Sequence, residues 1–421
     1  MPEPKVKRKM KVYKFGGASV ATSEGISNVA RIISLCEDDV LVVVSAMGKT
    51  TNALERVLDA LMADDRVLAQ KEWDSIVAYH DAVIDRLSLP HDTLPFRSVP
   101  SLWDKSDYDL SYDQLVSLGE LISSAIVQAC LLSQGIDCDR LDMTRLLRTD
   151  HTYRDARVDL AVSQALLRQA LQESTKRVHV LQGFIGGTED GLRTTLGREG
   201  SDYTAALVGN FVDAESVTIW KDVPGILNAD PRLVPNTVLI PELRYSDAVE
   251  LSYSGAQIIH PKTIRPLENK HIPLYVKPFG DPAAPGSKIH ADAKGPIQVP
   301  VYIWRKNQVL ITVRPKDFAF VLEESLNTLF EIIHRHRLKV SLIQASAVTI
   351  SVSVDHTRYV AAALEELAER FTLNYNGGLS LLTIRGTTPR ILEQETQGRE
   401  ILLSQTTRRT ARLLIKENTH T

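Results

Sequence analysis

The stretch Thr194-Thr195-Leu196-Gly197-Arg198-Glu199-Gly200-Ser201-Asp202-Tyr203-Thr204 gathers glycines, hydroxyls, a guanidinium and carboxylates. It follows an apolar, strand-like run at 178–181 and a loop at 182–187, and it runs into 205–208, which reads as helix. A loop of this composition between a strand and a helix suits an anion. Backbone N–H groups converge at the helix N-terminus, and glycine lets a phosphate come close. Arg198 adds a fork that fits a carboxylate or a phosphate. The same residues also describe a polar surface loop with a helix cap at Ser201 or Asp202.

Three more loops of this kind stand where strands end. A short strand at 12–15 carries Lys14 and leads into Gly16-Gly17-Ala18-Ser19, with a helix expected over 23–36. Neither G-x-x-x-x-G-K-[ST] nor G-x-G-x-x-G is present, and Lys14 precedes the glycines. The β-branched run 40–44 has the pattern of a parallel strand buried on both faces. It ends in Ser45-Ala46-Met47-Gly48-Lys49-Thr50-Thr51-Asn52. Ligands of open α/β sheets bind at that strand edge. A strand at 216–220 ends in a charged loop bearing Lys221, Asp222, Asp230 and Arg232. Each loop alone is equally an ordinary connection; several in one α/β chain point to a phosphate-handling enzyme.

The elements that position these loops belong to a chain of 421 residues, which predicts two or three units. Hydrophobic content is 43% and charged content 24%, as in soluble globular proteins. The net charge of −3 gives no reason to expect nucleic acid or an anionic membrane as a partner. No uninterrupted apolar run reaches the roughly 20 residues of a bilayer span. Cys36, Cys130 and Cys138 show no metal-ligand spacing and fit reduced thiols of a cytoplasmic protein. Residues 1–11 are basic without an apolar core and read as a tail before the first strand rather than a secretory signal.

Residues 52–171 read mostly as helix, interrupted at 90–108. A helix is expected to start at Ser111, with Gln114 closing a capping box. Its apolar stripe is Leu115, Leu118, Ile122, Ile126 and Ala129, which leaves Glu120 on the far side as a solvated carboxylate. His151 and Tyr153 fall in a polar stretch before a helix over 158–171. A proline- and glycine-containing break at 281–286 marks a boundary before about residue 300. Beyond it the order is β-α-β-β-α-β, the ferredoxin-like order, followed by a start of a second unit with no room for a final helix. The expected organisation is a tail at 1–11, an α/β domain at 12–298 with a mainly parallel sheet between helical layers, and an α+β region at 299–421.

The chain resembles the aspartate kinases. The resemblance runs from about Lys11 and rests on ordered motifs: Lys14-Phe15-Gly16-Gly17-Ala18-Ser19-Val20, Ser45-Ala46-Met47 through Thr51-Asn52, and Gly119-Glu120-Leu121. Gly183-Phe184-Ile185-Gly186 and Thr194 to Tyr203 follow, then Lys221-Asp222-Val223-Pro224-Gly225, Asp230-Pro231-Arg232 and Gly255-Ala256-Gln257. It implies an amino-acid-kinase fold with C-terminal ACT regulatory modules, and transfer of a phosphoryl group from ATP to the β-carboxylate of L-aspartate. That carboxylate is already ionised, so positioning and positive charge carry the catalysis.

By the resemblance, Lys14 lies against the transferring group and Asp202 orients it. Gly16, Gly17, Ser19 and Ser45 meet phosphate oxygens. Arg198 clamps a carboxylate of aspartate and Glu120 takes its ammonium, with Thr51, Phe184 and Ser201 lining the pocket. Lys221, Asp222, Leu227, Asp230, Arg232 and Gln257 hold the nucleotide. Mg²⁺ is expected on the phosphates with few protein ligands. A homodimer through the ACT region is expected, as is a monofunctional enzyme. A sensor that keeps the fold and binds without turnover, or a kinase of the same fold with another acceptor, are the alternatives. They fit less well with Lys14, Glu120, Arg198 and Asp202 together.

Several positions depart from the family pattern. Thr is frequent where Ala18 stands and Gly where Glu199 stands, which brings a negative charge into the loop and strains it if φ is positive. Lys221 and Gln257 replace a Thr and a Lys of many bacterial members, and Leu227 replaces a Tyr. In lysine-inhibited relatives acidic residues of the first ACT module face the effector, whereas residues 340–347 contain none. Weak or absent lysine inhibition is therefore expected.

Overall fold

The computed structural model describes residues 9–101, 104–256, 259–295, 297–316 and 323–417. Two units emerge, one of Met1–Ile226, Leu239–Val249 and Gln257–Pro296, the other of Leu227–Val238, Glu250–Ala256 and Ile297–Thr421. The boundary expected at 298 thus falls two residues earlier, and two excursions from the first domain are counted with the second unit.

In the first unit the strands are β1 Met10–Phe15, β2 Asp39–Val44, β3 Cys138–Leu141, β4 Val178–Gln182, β5 Ile185–Gly187, β6 Arg193–Thr195, β7 Ser216–Lys221, β8 Glu242–Leu243, β9 Leu274–Pro278 and β10 Ser287–Ile289. Eight of them form one sheet in the order β3-β4-β2-β1-β7-β9-β10-β8, parallel except between β9 and β10. β5 and β6 pair as a separate antiparallel hairpin. Val40 to Val44 are fully buried, as the unbroken β-branched run predicts. One face of the sheet packs on Ile26, Val29 and Ile33 of the helix Ser23–Ser34 and on Ile122, Ile126 and Val127 of the helix Leu118–Ser133. On the other, Gly209 of the helix Gly200–Phe211 lies against Val12, Val217 and Leu267.

The helix expected from Ser111 begins earlier, as Tyr108–Val116, because the Asp107 carboxylate accepts the Leu110 N–H at 2.9 Å. Ser111 is interior and donates to Asp104 O, while the Gln114 amide spans out to Arg193, donating to its carbonyl at 2.7 Å. No capping box forms. Together with Leu118–Ser133 this segment is apolar enough to cross a membrane by length and composition, but 72% of the window is buried inside the fold.

In the second unit the strands are β11 Val301–Pro315, β12 Val340–Ala345, β13 Ile350–Asp355, β14 Phe371–Arg385, β15 Ile401–Thr406 and β16 Thr410–Lys416. They form an antiparallel sheet in the order β12-β13-β11-β14-β16-β15. β11, the helix Glu323–Arg335, β12, β13, the helix Val360–Arg370 and β14 make one ferredoxin-like unit. The end of β14, the helix Pro389–Thr396, β15 and β16 start another. Its fourth strand position is filled by Val301–Arg305 from the start of β11, which pairs with Leu381–Arg385. The excursions join this unit through Asn228, whose amide donates to Pro300 O at 3.0 Å, and through the Glu250–Arg385 ion pair.

Candidate active site

The strand-to-helix loops of the first unit converge at the C-terminal end of its sheet on a cleft of about 640 Å³. Lys14 enters it from the end of β1. Gly16 and Gly17 follow at once, and the Gly48 N–H donates to Gly17 O at 2.9 Å, joining the turns after β1 and β2. A Cβ at Gly17 would stand 2.7 Å from Ala46 O, so only glycine lets these two turns meet. Ser19, Ser45 and Thr51 line the same side, Thr51 from the first turn of the helix Thr50–Met62.

The opposite side comes from the β5–β6 hairpin and the loop after it. Phe184, Arg198, Ser201 and Asp202 all reach the cleft. Phe184 takes a φ of +67° and its N–H donates to Thr204 Oγ1 at 3.0 Å. Gly200 lies under the Phe184 ring, where a Cβ would meet Cδ2 at 2.5 Å. The helix cap considered at Ser201 or Asp202 is absent. The helix begins at Gly200 with Glu199 before it at φ +55°, and no side chain caps it. The Gly200 N–H donates to Gly197 O at 3.1 Å, so the first-turn amides that can meet a ligand are those of Ser201 and Asp202.

Electrostatics set the centre of the site. Lys14 Nζ is 2.5 Å from Asp202 Oδ1, and Lys221 Nζ, at the end of β7, is 4.0 Å from Oδ2. Burial alone would raise the Asp202 carboxyl, but the two ammoniums outweigh it and hold it below the usual range. Asp222 lines the cleft beside Lys221.

Glu120, expected on a solvated face, is only 3% exposed. Its Oε1 accepts the Ala46 N–H at 3.1 Å, while Oε2 is buried without a partner. Burial pushes this carboxyl up to about 8. The helix bearing it packs on two sides, so the residues off the expected stripe are buried as well; the stripe marked one packed face and missed the other. An orphan carboxylate oxygen aimed at a cleft is a receptor for an ammonium group.

Some lining residues carry no signal in the sequence. Tyr112, Arg154 and Trp220 line the cleft although none stands in a glycine-rich loop. Arg154 holds a φ of +69°, lies over the Tyr112 ring at 4.5 Å and pairs with Asp109 at 3.1 Å. Asp113, fully buried, accepts from Thr195 Oγ1 at 2.7 Å, Thr195 N–H at 2.8 Å and Arg154 N–H at 3.1 Å. Burial prevails over these bonds and raises its carboxyl to about 6. Three expected nucleotide residues, Leu227, Asp230 and Arg232, are not part of the lining: they belong to the second unit, where Arg232 is engaged with Asp230 at 2.7 Å. Gln257 lies outside the described residues.

Among the described residues no group of three or more His, Cys, Asp or Glu side chains could hold a metal ion. The protein carboxylate nearest the ammoniums is committed to them. This donor set fits a divalent cation carried on phosphate oxygens.

Comparison with known proteins agrees with this geometry. Residues 9–278 match the amino acid kinase family. Lysine-sensitive aspartokinase 3 of Escherichia coli is 30% identical over 392 residues, 89% of this chain and 86% of that protein. The chloroplastic bifunctional aspartokinase/homoserine dehydrogenase 1 of Zea mays is 32% identical over 300 residues, and the match spans 66% of this chain and 32% of that longer protein. Among solved structures, E. coli aspartokinase III in complex with aspartate and ADP superposes with a TM-score of 0.80 at 27% identity, covering 97% of this chain and 96% of the other. With the family matched over residues 9–278, which hold every residue that lines the cleft, and an aspartokinase matched over most of its length, this chain belongs to the amino acid kinase family as one of its aspartokinases.

Proposed function

We propose that this protein transfers the γ-phosphoryl group of ATP to the β-carboxylate of L-aspartate, forming 4-phospho-L-aspartate and ADP. A β-carboxylate oxygen forms the new bond to phosphorus as the bond to the β–γ bridging oxygen breaks. The observation that carries this reading is the orphan Glu120 oxygen opposite the Lys14–Asp202 pair, within one cleft. It offers an ammonium receptor, an anion-binding turn and a positive reaction centre together. The solved E. coli relative holds aspartate and ADP. The reaction serves amino-acid biosynthesis.

Each group has a task. Glu120 binds the aspartate ammonium and Arg198 an aspartate carboxylate, with Thr51, Phe184 and Ser201 closing the pocket. The Gly16–Ser19 turn and Ser45 present N–H and hydroxyl donors to phosphate oxygens. Lys14 meets the charge that develops on the transferring group, and Asp202 holds Lys14 extended for it. Lys221 adds a second cation. Mg²⁺, carried by the phosphates, supplies further charge neutralisation when bound. Leu227, Arg232 and Gln257 remain proposed nucleotide contacts on the family resemblance alone.

A homodimer through the C-terminal region and a cytoplasmic location complete the proposal. β12 ends its sheet as an edge strand and carries no charged residue, which supports pairing with a second copy. Three free cysteines support a reducing compartment. Incubation with Mg-ATP, L-aspartate and hydroxylamine tests the chemistry. Aspartyl hydroxamate is the expected product; ADP release without hydroxamate rejects acyl-phosphate formation. Light scattering tests the dimer.

A further inference from the structure

Glu199 occupies the left-handed backbone region, φ +55° and ψ +30°, in the turn that presents Arg198 and Ser201 to the cleft. A non-glycine residue is held there only where its surroundings over-determine it. Its carboxylate does not cap the helix that follows. Instead Oε2 accepts the His260 N–H at 2.8 Å, across 61 residues of chain. The His260 ring in turn accepts the Lys262 N–H at 3.1 Å, capping the helix Pro261–Glu268. Lys262 pairs with Asp155, and a Cβ on Gly197 would stand 2.9 Å from that Asp155 carboxylate. Both ends of the Gly197–Gly200 turn are therefore set against fixed neighbours.

We propose that Glu199 is a positioning residue of the acceptor site: its bond to the His260 amide fixes the turn that aims Arg198 and Ser201. The inference rests on the aspartate-kinase reading. It opposes the view of Glu199 as a bare negative charge that repels phosphate. A tether needs the acceptor oxygen, whereas repulsion needs the charge.

The test is steady-state kinetics of the whole protein with both substrates varied. Glu199→Gln keeps an acceptor oxygen and loses the charge; its KM for aspartate is expected within about twofold of the parent. Glu199→Gly suits the positive φ but frees the turn; the expected result is a rise of about tenfold in KM for aspartate, with kcat within about threefold and Tm not lowered. His260→Pro removes the donor at a residue whose φ of −67° already suits proline. It raises KM about fivefold more than His260→Ala, which keeps the amide, and adds nothing to Glu199→Gly in the double variant. The proposal is overturned if Glu199→Gln matches Glu199→Gly, if Glu199→Gly leaves KM for aspartate unchanged, or if Glu199→Gln chiefly lowers KM for ATP. Hydroxamate formation by the parent tests the underlying reading separately.

Discussion

Lys14 Nζ stands 2.5 Å from Asp202 Oδ1, with both side chains almost fully buried, and Lys221 Nζ is 4.0 Å from the carboxylate's other oxygen. Two ammoniums flank one carboxylate, so positive charge is gathered and held in place in this nook. It is preorganised for a reaction between two anions, an aspartate carboxylate and a triphosphate. The depressed Asp202 carboxyl keeps this arrangement ionised.

Lys14→Ala should lower turnover by about 10²–10³, the usual effect of removing one preorganised charge. Calorimetry should still register aspartate, whose ammonium and carboxylate are received elsewhere. Retained turnover above about a tenth of the parent's rate would remove Lys14 from the role assigned to it. Asp202→Asn should also cost turnover, because Lys14 loses the partner that holds it.

Glu120 links aspartate binding to pH. In the free protein its carboxyl is raised to about 8 by burial, so it is mostly neutral at lower pH. An ammonium in the pocket favours the ionised form, so binding must release a proton. KM for aspartate is therefore expected to fall as pH rises toward 8, by up to about tenfold per pH unit. Glu120→Gln should give a high KM that no longer varies with pH. Stability runs the other way. Between the ordinary carboxylate value and about 8 the unfolded chain is ionised and the folded one is not, so stability falls as pH rises through that window. Near neutral pH, Glu120→Gln should melt above the parent; a lower Tm would contradict the burial argument.

Asp113 joins the helix Tyr108–Val116 to the hairpin strand β6 and to the Arg154 turn. Asp113→Ala would leave the Thr195 amide and hydroxyl and the Arg154 amide without their acceptor, each orphaned group costing about 1–3 kcal/mol. A loss of about 2–5 kcal/mol in denaturant unfolding is expected, with a higher KM for aspartate because the β5–β6 hairpin leads into Arg198. Unchanged unfolding would show that water satisfies these donors.

The parts of this site legible in the sequence are those with local signatures. The strand–glycine turn at Lys14–Ser19, the buried run before Ser45 and the loop at Gly197–Asp202 each announce themselves by composition, and each lies where expected. Glu120 does not, because helix periodicity assumes a single buried face, and the helix Leu118–Ser133 is packed on two. Arg154 and Asp113 are joined by a long-range bond from a backbone amide to a side-chain carboxylate, which no spacing rule reveals. Leu227 and Arg232 follow Lys221 closely along the chain, yet the chain between them leaves the first unit at Ile226. Sequence adjacency stops being a guide at that point.

The regulatory prediction follows from chemistry rather than from shape. β12 and the turn after it, residues 340–347, contain no carboxylate, and residues 343–347 are exposed. The charges beside the strand are Lys339 and Arg305, whose guanidinium donates to Ser341 Oγ at 2.8 Å and holds the neighbouring Asp355 carboxylate at 3.6 Å. A lysine ammonium docked there would lose hydration with no anion to receive it, and would face a like charge. The E. coli relative, by contrast, is known in complex with lysine and aspartate. Turnover of this protein should fall by no more than about a fifth at lysine up to about 1 mM, a concentration at which a contact worth some 4 kcal/mol would already be half-occupied. A complete inhibition curve with a midpoint well below that concentration would mean that carboxylates outside 340–347 receive the ammonium, and a scan of the acidic residues of the second unit would then identify them.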